Sequence, residues 1–293
     1  MIEAVPTHNF FAGGVLVSNS NWGMHPRDKE LSEYMVETKR KYGYPDKFRV
    51  CFGKNTDEKI FQVASILHSV DLEKGITLAR QSNDPTTLEN IRRDNIKLST
   101  YRNLQTRFND LEVPVYSELI LGLPGETVES WKRGIDELLT SGLRNQLFVY
   151  LCQILPNTEL VDTHYRQVHG IRSKRIRLTE IHGAVRDAGW VDEFEEIVIA
   201  TNSMPQEQWR EMVKFSWATM FLHSMKAGFF ILGWLWDRFK IPPSEFISYI
   251  QPQLSKEFKW DSLLFSLTMD GEGRGTVLSN YGDIYWDVEE ASL

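Results

Sequence analysis

The stretch ITLARQSNDPTTLENIRRDNI at residues 76–96, followed by VPVYSELILGLPGET at residues 113–127, decides the fold of this chain. Each part begins with a short apolar run, at 76–79 and at 115–121, and continues towards a helical pattern. The distance between the two runs is the length of a βα unit. Because apolar runs that alternate with helices are typical of parallel sheets covered by helices, these residues predict an α/β fold.

The same alternation extends on both sides of this stretch. Pro85 begins a predicted helix that runs to residue 109, and Thr127 is a plausible N-cap for a helix that Gly142 ends. Further strands are predicted at 48–52 and 147–154, and further helices at 28–41, 57–70 and 128–141. Four strands are too few for a closed barrel, so the pattern predicts a partial (β/α) barrel.

Beyond Pro156 the pattern predicts a mainly helical region with helices at 177–188 and 206–239. The second helix is rich in Trp and Phe, which indicates a core face, with a lid over a substrate as the alternative. Pro242 and Pro243 predict a break. Residues 271–275 are expected to form a turn, followed by short strands to the end of the tail.

The composition is that of an ordinary soluble globular protein, with 42% hydrophobic and 25% charged residues. A net charge of −7 argues against a nucleic-acid partner held by bulk electrostatics. The basic run at 166–177 is interpreted as a solvated connector. No signal peptide is visible, and the apolar segment 227–236 is about half a membrane span, so a cytoplasmic location without membrane contact is expected.

Two cysteines, Cys51 and Cys152, stand far apart in apolar runs. This spacing excludes a disulfide framework and argues against a metal site formed by this chain alone. Both thiols are therefore expected to be buried and inert.

Polar residues and glycines mark the predicted strand ends, where parallel α/β folds bind ligands. Gln81 and Ser82 follow one strand, residues 122–126 follow the next, and Leu151 ends the last. Two glycines around Pro124 allow a close approach of backbone to a flat ligand. Glu118, inside an apolar strand, requires a donor, either a ribose with two hydroxyls or a structural Arg.

These motifs, QSNDPTTLENIRRDNI and VPVYSELILGLPGET, resemble the radical S-adenosylmethionine (SAM) superfamily, and most of all its members with a cobalamin-binding domain. The resemblance extends from about residue 20 to residue 246. It implies a partial barrel of the radical SAM type that lacks its first strands, followed by the mainly helical C-terminal region. It also implies three cofactors: SAM, an iron–sulfur cluster and cobalamin, the last through a domain outside this chain.

The resemblance assigns roles to single residues. Gln81 and Ser82 match positions that face SAM, Arg93 matches the arginine that pairs with the SAM carboxylate, and Glu118 matches the acid that contacts the ribose. The loop that lies against adenosine is matched by Gly122, Leu123, Pro124 and Gly125. Leu151 matches the strand end whose backbone contacts adenine. The motif that receives the SAM amino group is matched by Asn21, Trp22 and Gly23.

The family's cluster motif CxxxCxxC does not occur in the sequence. The resemblance therefore implies that a missing N-terminal half of the same enzyme binds the cluster, and that SAM is cleaved to a deoxyadenosyl radical only in the complete protein. The substrate depends on the C-terminal cap and on that missing part. The isolated chain is expected to be inactive.

The first residues, VPTHNFFAGGVLVSN followed by Ser20, resemble the C-terminal end of an intein. In that family Asn19 would cyclise and cut the chain, Ser20 would accept the upstream segment, and His8 would assist. Ser18 stands where the family has a histidine. The alternative is a β-hairpin with Gly13 and Gly14 as its turn.

Three regions are expected: an intein remnant at 1–19, a partial radical SAM barrel at 20–160 and a mainly helical cap at 161–293. Two other functions remain open. In the first, the chain is a non-catalytic module that binds a nucleotide-like ligand. In the second, it is a self-cleaving segment that acts only at Asn19.

Overall fold

The computed structural model describes side chains at residues 22–48, 50, 52, 58–175 and 194–253. The backbone alone is described at 176–177, at 254–257 and in the short strands 9–12, 15–18, 274–277 and 284–287. The chain divides into two compact units. The first unit contains residues 1–79 and 95–116, and the second contains residues 80–94 and 117–293.

The first unit contains three helices, α1 (Pro26–Tyr42), α2 (Glu58–His68) and α4 (Leu98–Asp110). The predicted helices at 28–41 and 57–70 are thus confirmed. Helix α2 buries one apolar face, which explains why a 3.6-residue period was visible in its sequence. Helix α1 ends at Gly43, which adopts a left-handed conformation with φ 74°.

The central sheet has the strand order β3 (Ile76–Gln81), β4 (Val115–Leu121), β5 (Leu147–Leu151). Strands β4 and β5 are parallel, and Glu118 lies opposite Phe148. The predicted α/β class with a parallel sheet is therefore confirmed in this part of the chain.

Two sequence predictions in the α/β region are wrong. The predicted strand at 48–52 shows only one isolated bridge, between Phe52 and Trp22, among its described residues. The predicted helix from Pro85 to residue 109 is two helices, α3 (Pro85–Asn90) and α4. The chain leaves α3 because Arg92 takes a left-handed conformation, φ 50°, and the Arg93 N–H donates to the Leu88 carbonyl.

Helix α5 (Val128–Leu139) follows β4 and confirms the prediction for this segment. The Thr127 hydroxyl accepts a hydrogen bond from the Ser130 N–H, as expected for an N-cap. Trp131 is buried, and its indole N–H donates at 3.0 Å to Ser216 Oγ of helix α7 (Gln206–Thr219). Helices α5, α7 and α9 (Pro243–Glu257) pack on one another within the second unit.

The C-terminal half is less helical than predicted. Helix α6 (Thr163–His169) is followed by an antiparallel pair, β6 (Arg172–Arg177) and β7 (Phe194–Ala200). The basic run is therefore a helix end and a strand, and not a connector. Arg177 ends β6, whereas residues 178–188 of the predicted helix lie outside the described residues.

The aromatic segment forms α7 (Gln206–Thr219), a π-helical turn (Met220–Ser224) and α8 (Phe229–Phe239). Trp209, Phe215 and Trp217 of α7 are buried, as the core interpretation requires. On α8, however, Phe230 is 82% and Trp234 is 58% exposed. Pro243 begins the next helix, α9 (Pro243–Glu257). No helix in the described ranges is both long enough and apolar enough to cross a membrane.

Short strand pairs lie at the two ends of the chain. Strands β1 (Asn9–Ala12) and β2 (Val15–Ser18) are antiparallel, with Ala12 opposite Val15, which is the hairpin of the alternative interpretation. Strands β8 (Arg274–Val277) and β9 (Ile284–Asp287) agree with the predicted strands of the tail. Gly275 lies inside β8 and not in a turn.

Candidate functional site

The polar residues predicted at the strand ends lie in the second unit. Gln81 is the last residue of β3, and the register of the parallel pair places Leu121 at the end of β4 opposite Leu151 at the end of β5. The Cys152 N–H donates to the Leu121 carbonyl at 2.8 Å, which extends the pairing past the strand ends. The three ends thus form one edge of the sheet, where open α/β sheets bind ligands.

Strand β4 has one buried face and one open face. Ser117, Leu119 and Leu121 are buried, whereas Glu118 and Ile120 are partly exposed. The register places Phe148 and Tyr150 of β5 opposite these two residues. The Phe148 and Tyr150 rings stack with centroids 6.2 Å apart. Glu118 is therefore on the open face, beside aromatic rings.

Arg93 lies within electrostatic reach of Glu118. Burial lowers the pKa of Arg93, the Glu118 charge opposes this shift, and the Arg80 charge adds to it. Arg80 is 6% exposed, so two guanidinium groups and one carboxylate share a poorly solvated region. A guanidinium can pair with a ligand carboxylate, and a carboxylate can accept hydrogen bonds from hydroxyls.

Gln81 has an unusual backbone conformation at the end of β3. Its φ is 62°, in the left-handed region that residues other than glycine rarely adopt. The following residue is held tightly, because the Ser82 N–H donates to the Arg80 carbonyl at 2.8 Å. Strain of this kind persists where surrounding contacts impose it, and it is concentrated at functional sites.

Ser82 faces the protein interior. It is 1% exposed, and its hydroxyl donates to Glu126 Oε2 while accepting from the Asp84 N–H at 3.0 Å. The other carboxylate oxygen of Glu126 accepts from the Ser130 hydroxyl. Burial raises the pKa of Glu126, and the two serine hydrogen bonds act against that rise. Sequence reasoning quoted Glu126 as part of its loop motif but gave it no role.

The loop after β4 is packed against the protein. A Cβ at Gly122 would lie 3.3 Å from the Val198 carbonyl oxygen, and a Cβ at Gly125 would lie 2.6 Å from Asn90 Nδ2. Both glycines have positive φ, 102° and 97°. The packing of the protein around these two positions therefore favours glycine, whether or not a ligand binds. Leu123 is part of a buried cluster, and Pro124 is buried as well.

Two polar contacts fix this loop further. The Pro124 carbonyl accepts from Asn90 Nδ2 at 3.1 Å, and the Gly125 N–H donates to Ser203 Oγ at 3.1 Å. Ser203 precedes helix α7, far along the sequence, so no local pattern indicated its part in the loop.

The remaining predicted residues lie in the first unit or outside the residues whose side chains are described. Trp22 and Gly23 belong to the first unit, where the Gly23 N–H donates to Asp28 Oδ2 at 3.0 Å and Trp22 Nε1 donates to Ser32 Oγ at 3.1 Å. Both contacts attach the segment to the start of α1. His8, Asn19, Ser20 and Asn21 lie outside the residues whose side chains are described.

Two curated proteins are similar to this chain over 212 residues, 72% of its length. A cobalamin-dependent radical SAM methyltransferase of Streptomyces tokunonensis, TokK, is 38% identical. The 2-(S-pantetheinyl)-carbapenam-3-carboxylate methyltransferase of Streptantibioticus cattleyicolor is 35% identical. Each match covers 30% of the relative, so the chain spans less than a third of these proteins. No protein-family model matches the chain.

These relatives support radical SAM superfamily membership for this chain.

Among solved structures, the chain is similar to the radical SAM methyltransferase TsrM of Kitasatospora setae. The TM-score is 0.42 at 17% identity for TsrM with cobalamin and a [4Fe-4S] cluster bound, over 53% of this chain and 30% of TsrM. It is 0.39, also at 17% identity, for TsrM with tryptophan and a SAM analogue, over 47% of this chain and 27% of TsrM.

The charges of Arg93 and Glu118 fit SAM, the radical SAM cosubstrate. Cys152, in contrast, does not fit an iron–sulfur cluster. Burial raises the pKa of Cys152 to about 12, and its side chain is 2% exposed. A thiol in this state is neither a thiolate nor accessible to iron. Within the described ranges, no three His, Cys, Asp or Glu side chains form a group that could hold a metal ion. The described residues therefore do not fit an iron–sulfur cluster.

Proposed function

We propose that this chain is the SAM-binding and C-terminal part of a cobalamin-dependent radical SAM methyltransferase. The observation that carries the proposal is the similarity to two methyltransferases at 38% and 35% identity. The open face with Arg93 and Glu118 supports it, because these groups match the charges of SAM.

In this proposal the described residues bind and orient SAM. The Arg93 guanidinium pairs with the SAM carboxylate, and the Glu118 carboxylate accepts hydrogen bonds from the ribose hydroxyls. The Gln81 amide offers a donor and an acceptor at the end of β3. The Leu151 backbone lies at the neighbouring end of β5, on the side proposed for adenine.

A cluster-binding segment outside this chain is part of the proposal, and a cobalamin-binding part is as well. When bound, the cluster supplies the electron that cleaves SAM, and the protein positions the reacting groups. Reconstitution of this chain alone with iron and sulfide is therefore expected to give no stable cluster. A stoichiometric cluster spectrum that disappears in Cys51→Ala contradicts this expectation.

The test measures SAM affinity in the enzyme assembled from this chain and the segment that carries the CxxxCxxC motif. Arg93→Ala and Glu118→Ala each remove a charged partner, at a cost of about 2–3 kcal/mol, or roughly 30- to 150-fold in Kd. The matched control is Arg92→Ala. The Arg92 side chain is 77% exposed and pairs with Glu159, so its loss is expected to leave SAM binding unchanged.

Three outcomes are decisive. Weakened binding in both test variants and normal binding in the control supports the proposal. Unchanged binding in both test variants shows that the strand-end assignment is wrong. Normal SAM binding without reductive cleavage in the assembled enzyme indicates instead a partial barrel that binds a nucleotide-like ligand without chemistry.

A further inference from the structure

The buried junction of Ser82, Glu126 and Ser130 joins three elements that border the candidate site. Ser82 follows β3, Glu126 follows the glycine loop, and Ser130 lies in the first turn of α5. All three residues are at most 5% exposed. No ligand contact is therefore available to their side chains.

The direction of the hydrogen bonds in this junction is fixed by the backbone. The Asp84 N–H donates to Ser82 Oγ at 3.0 Å, and the Thr127 N–H donates to Ser130 Oγ at 2.8 Å. A serine that accepts from a backbone N–H still has its own proton to donate. Both serines direct that proton to Glu126, one to each carboxylate oxygen.

The junction is connected along the chain to Gln81 and Arg93. Ser82 follows Gln81, whose φ of 62° needs an external constraint. Asp84 caps α3, because its Oδ1 accepts from the Thr87 N–H at 3.0 Å. Helix α3 then leads to Arg93, while Asn90 at its end holds the Pro124 carbonyl.

We infer that Glu126 is a positioning residue, which acts through Ser82 to hold Gln81 and helix α3 in the conformation that binds SAM. The inference rests on the proposed function, and it changes the role of Ser82 from a group that faces SAM to one that orients its neighbours. Ser130 attaches the same carboxylate to α5 and contributes stability without contributing to ligand affinity.

The experiment compares Ser82→Ala with Ser130→Ala, because each removes one hydroxyl from Glu126. In the assembled enzyme we expect Ser82→Ala to raise the Kd for SAM about tenfold. Ser130→Ala is expected to change it less than about twofold, although both variants lower the unfolding midpoint to a similar extent. Glu126→Gln keeps the shape, but it replaces one accepting oxygen by a donor, so its effect is expected to equal that of Ser82→Ala.

Hydrogen exchange on this chain without SAM provides an independent readout. Faster exchange at residues 81–88 is expected in Ser82→Ala and Glu126→Gln but not in Ser130→Ala. The positioning role is overturned if the two serine variants lose SAM affinity equally. It is also overturned if hydrogen exchange at residues 81–88 is equally fast in all three variants. If the wild-type enzyme fails to bind SAM while the exchange pattern is as expected, the proposed function fails and the local constraint on Gln81 stands.

Discussion

Glu118 and Glu126 belong to the same strand–loop segment, yet their surroundings differ in every physical respect. Glu118 is partly exposed on the open face of β4, within reach of the Arg93 charge. Glu126 is 1% exposed, and serine hydroxyls occupy both of its oxygens. A partly exposed carboxylate near a cation can be reached by a ligand, whereas a buried carboxylate that accepts from internal hydroxyls organises the protein around it.

The first way to break this comparison is to measure stability for both carboxylates. Glu126→Ala removes the carboxylate to which both buried serine hydroxyls donate, and we expect it to lower the free energy of unfolding by about 2–4 kcal/mol. Glu118→Ala removes a partly exposed carboxylate and is expected to cost less than Glu126→Ala. Urea unfolding of this chain tests both. Equal losses contradict the distinction between a binding and a structural carboxylate.

Acid titration compares Glu126 with a second buried titratable group, His223 in the π-helical turn. Burial lowers the pKa of His223 to about 4, its Nε2 contacts the Leu143 carbonyl at 2.9 Å, and its Nδ1 has no protein partner. The stability from this lowered pKa is present above the ordinary value near 6.5 and is lost as the pH falls through about 4. The loss totals about 3 kcal/mol.

Glu126 contributes with the opposite sign. Its pKa is raised, so its contribution is greatest below the ordinary carboxyl range and decreases as the pH rises through the raised value. From pH 7 to pH 4.5, the wild-type chain therefore combines a loss from His223 with a gain from Glu126 that begins at its raised pKa. His223→Gln is expected to reduce the loss of stability on acidification, and Glu126→Gln to increase it. Urea unfolding midpoints at the two pH values test both expectations. An identical change of midpoint with pH in the wild type and both variants contradicts the roles given to His223 and Glu126.

The glycine loop offers a smaller effect with a matched control. Gly125→Ala combines positive φ with a Cβ 2.6 Å from Asn90 Nδ2, and we expect a loss of about 2 kcal/mol. Gly43 also has positive φ, but nothing lies within 4 Å of its Cβ position, so Gly43→Ala should cost about 1 kcal/mol. Thermal unfolding of the two variants separates close packing from backbone conformation. A larger loss in Gly43→Ala would falsify the packing argument.

The last prediction concerns the front of the chain, and the smallest change in stability is expected there. The intein interpretation stays a prediction, which the comparisons do not support: slow or absent splicing is expected, and local cleavage after Asn19 would leave a product that begins at Ser20. Intact-mass measurement over days detects it, and Asn19→Ala should abolish it. Cleavage at the same rate in that variant indicates a contaminating protease. The absence of any product leaves the hairpin of β1 and β2 as the better account of these residues.

Sequence reasoning worked where a local pattern contains the physical cause. Local patterns predicted α1 and α2, the Thr127 cap and Gly142 predicted α5, and the apolar runs predicted β3, β4 and β5 within a few residues. It failed at the helix break after Asn90, because the left-handed turn at Arg92 is made by a residue with no turn preference of its own. It also missed strand β6, whose basic residues resemble a solvated segment when read singly.

The sequence by itself determined the α/β class, the strand-end motifs and the similarity to radical SAM enzymes, because these depend on residue type and spacing. Only the tertiary structure decided that Ser82 faces inward, that Glu126 joins β3 to α5, and that Ser203 holds the glycine loop. The reason is that a hydrogen bond is formed between groups brought together by folding. The partners of a polar residue far along the chain therefore leave no periodic signal near it.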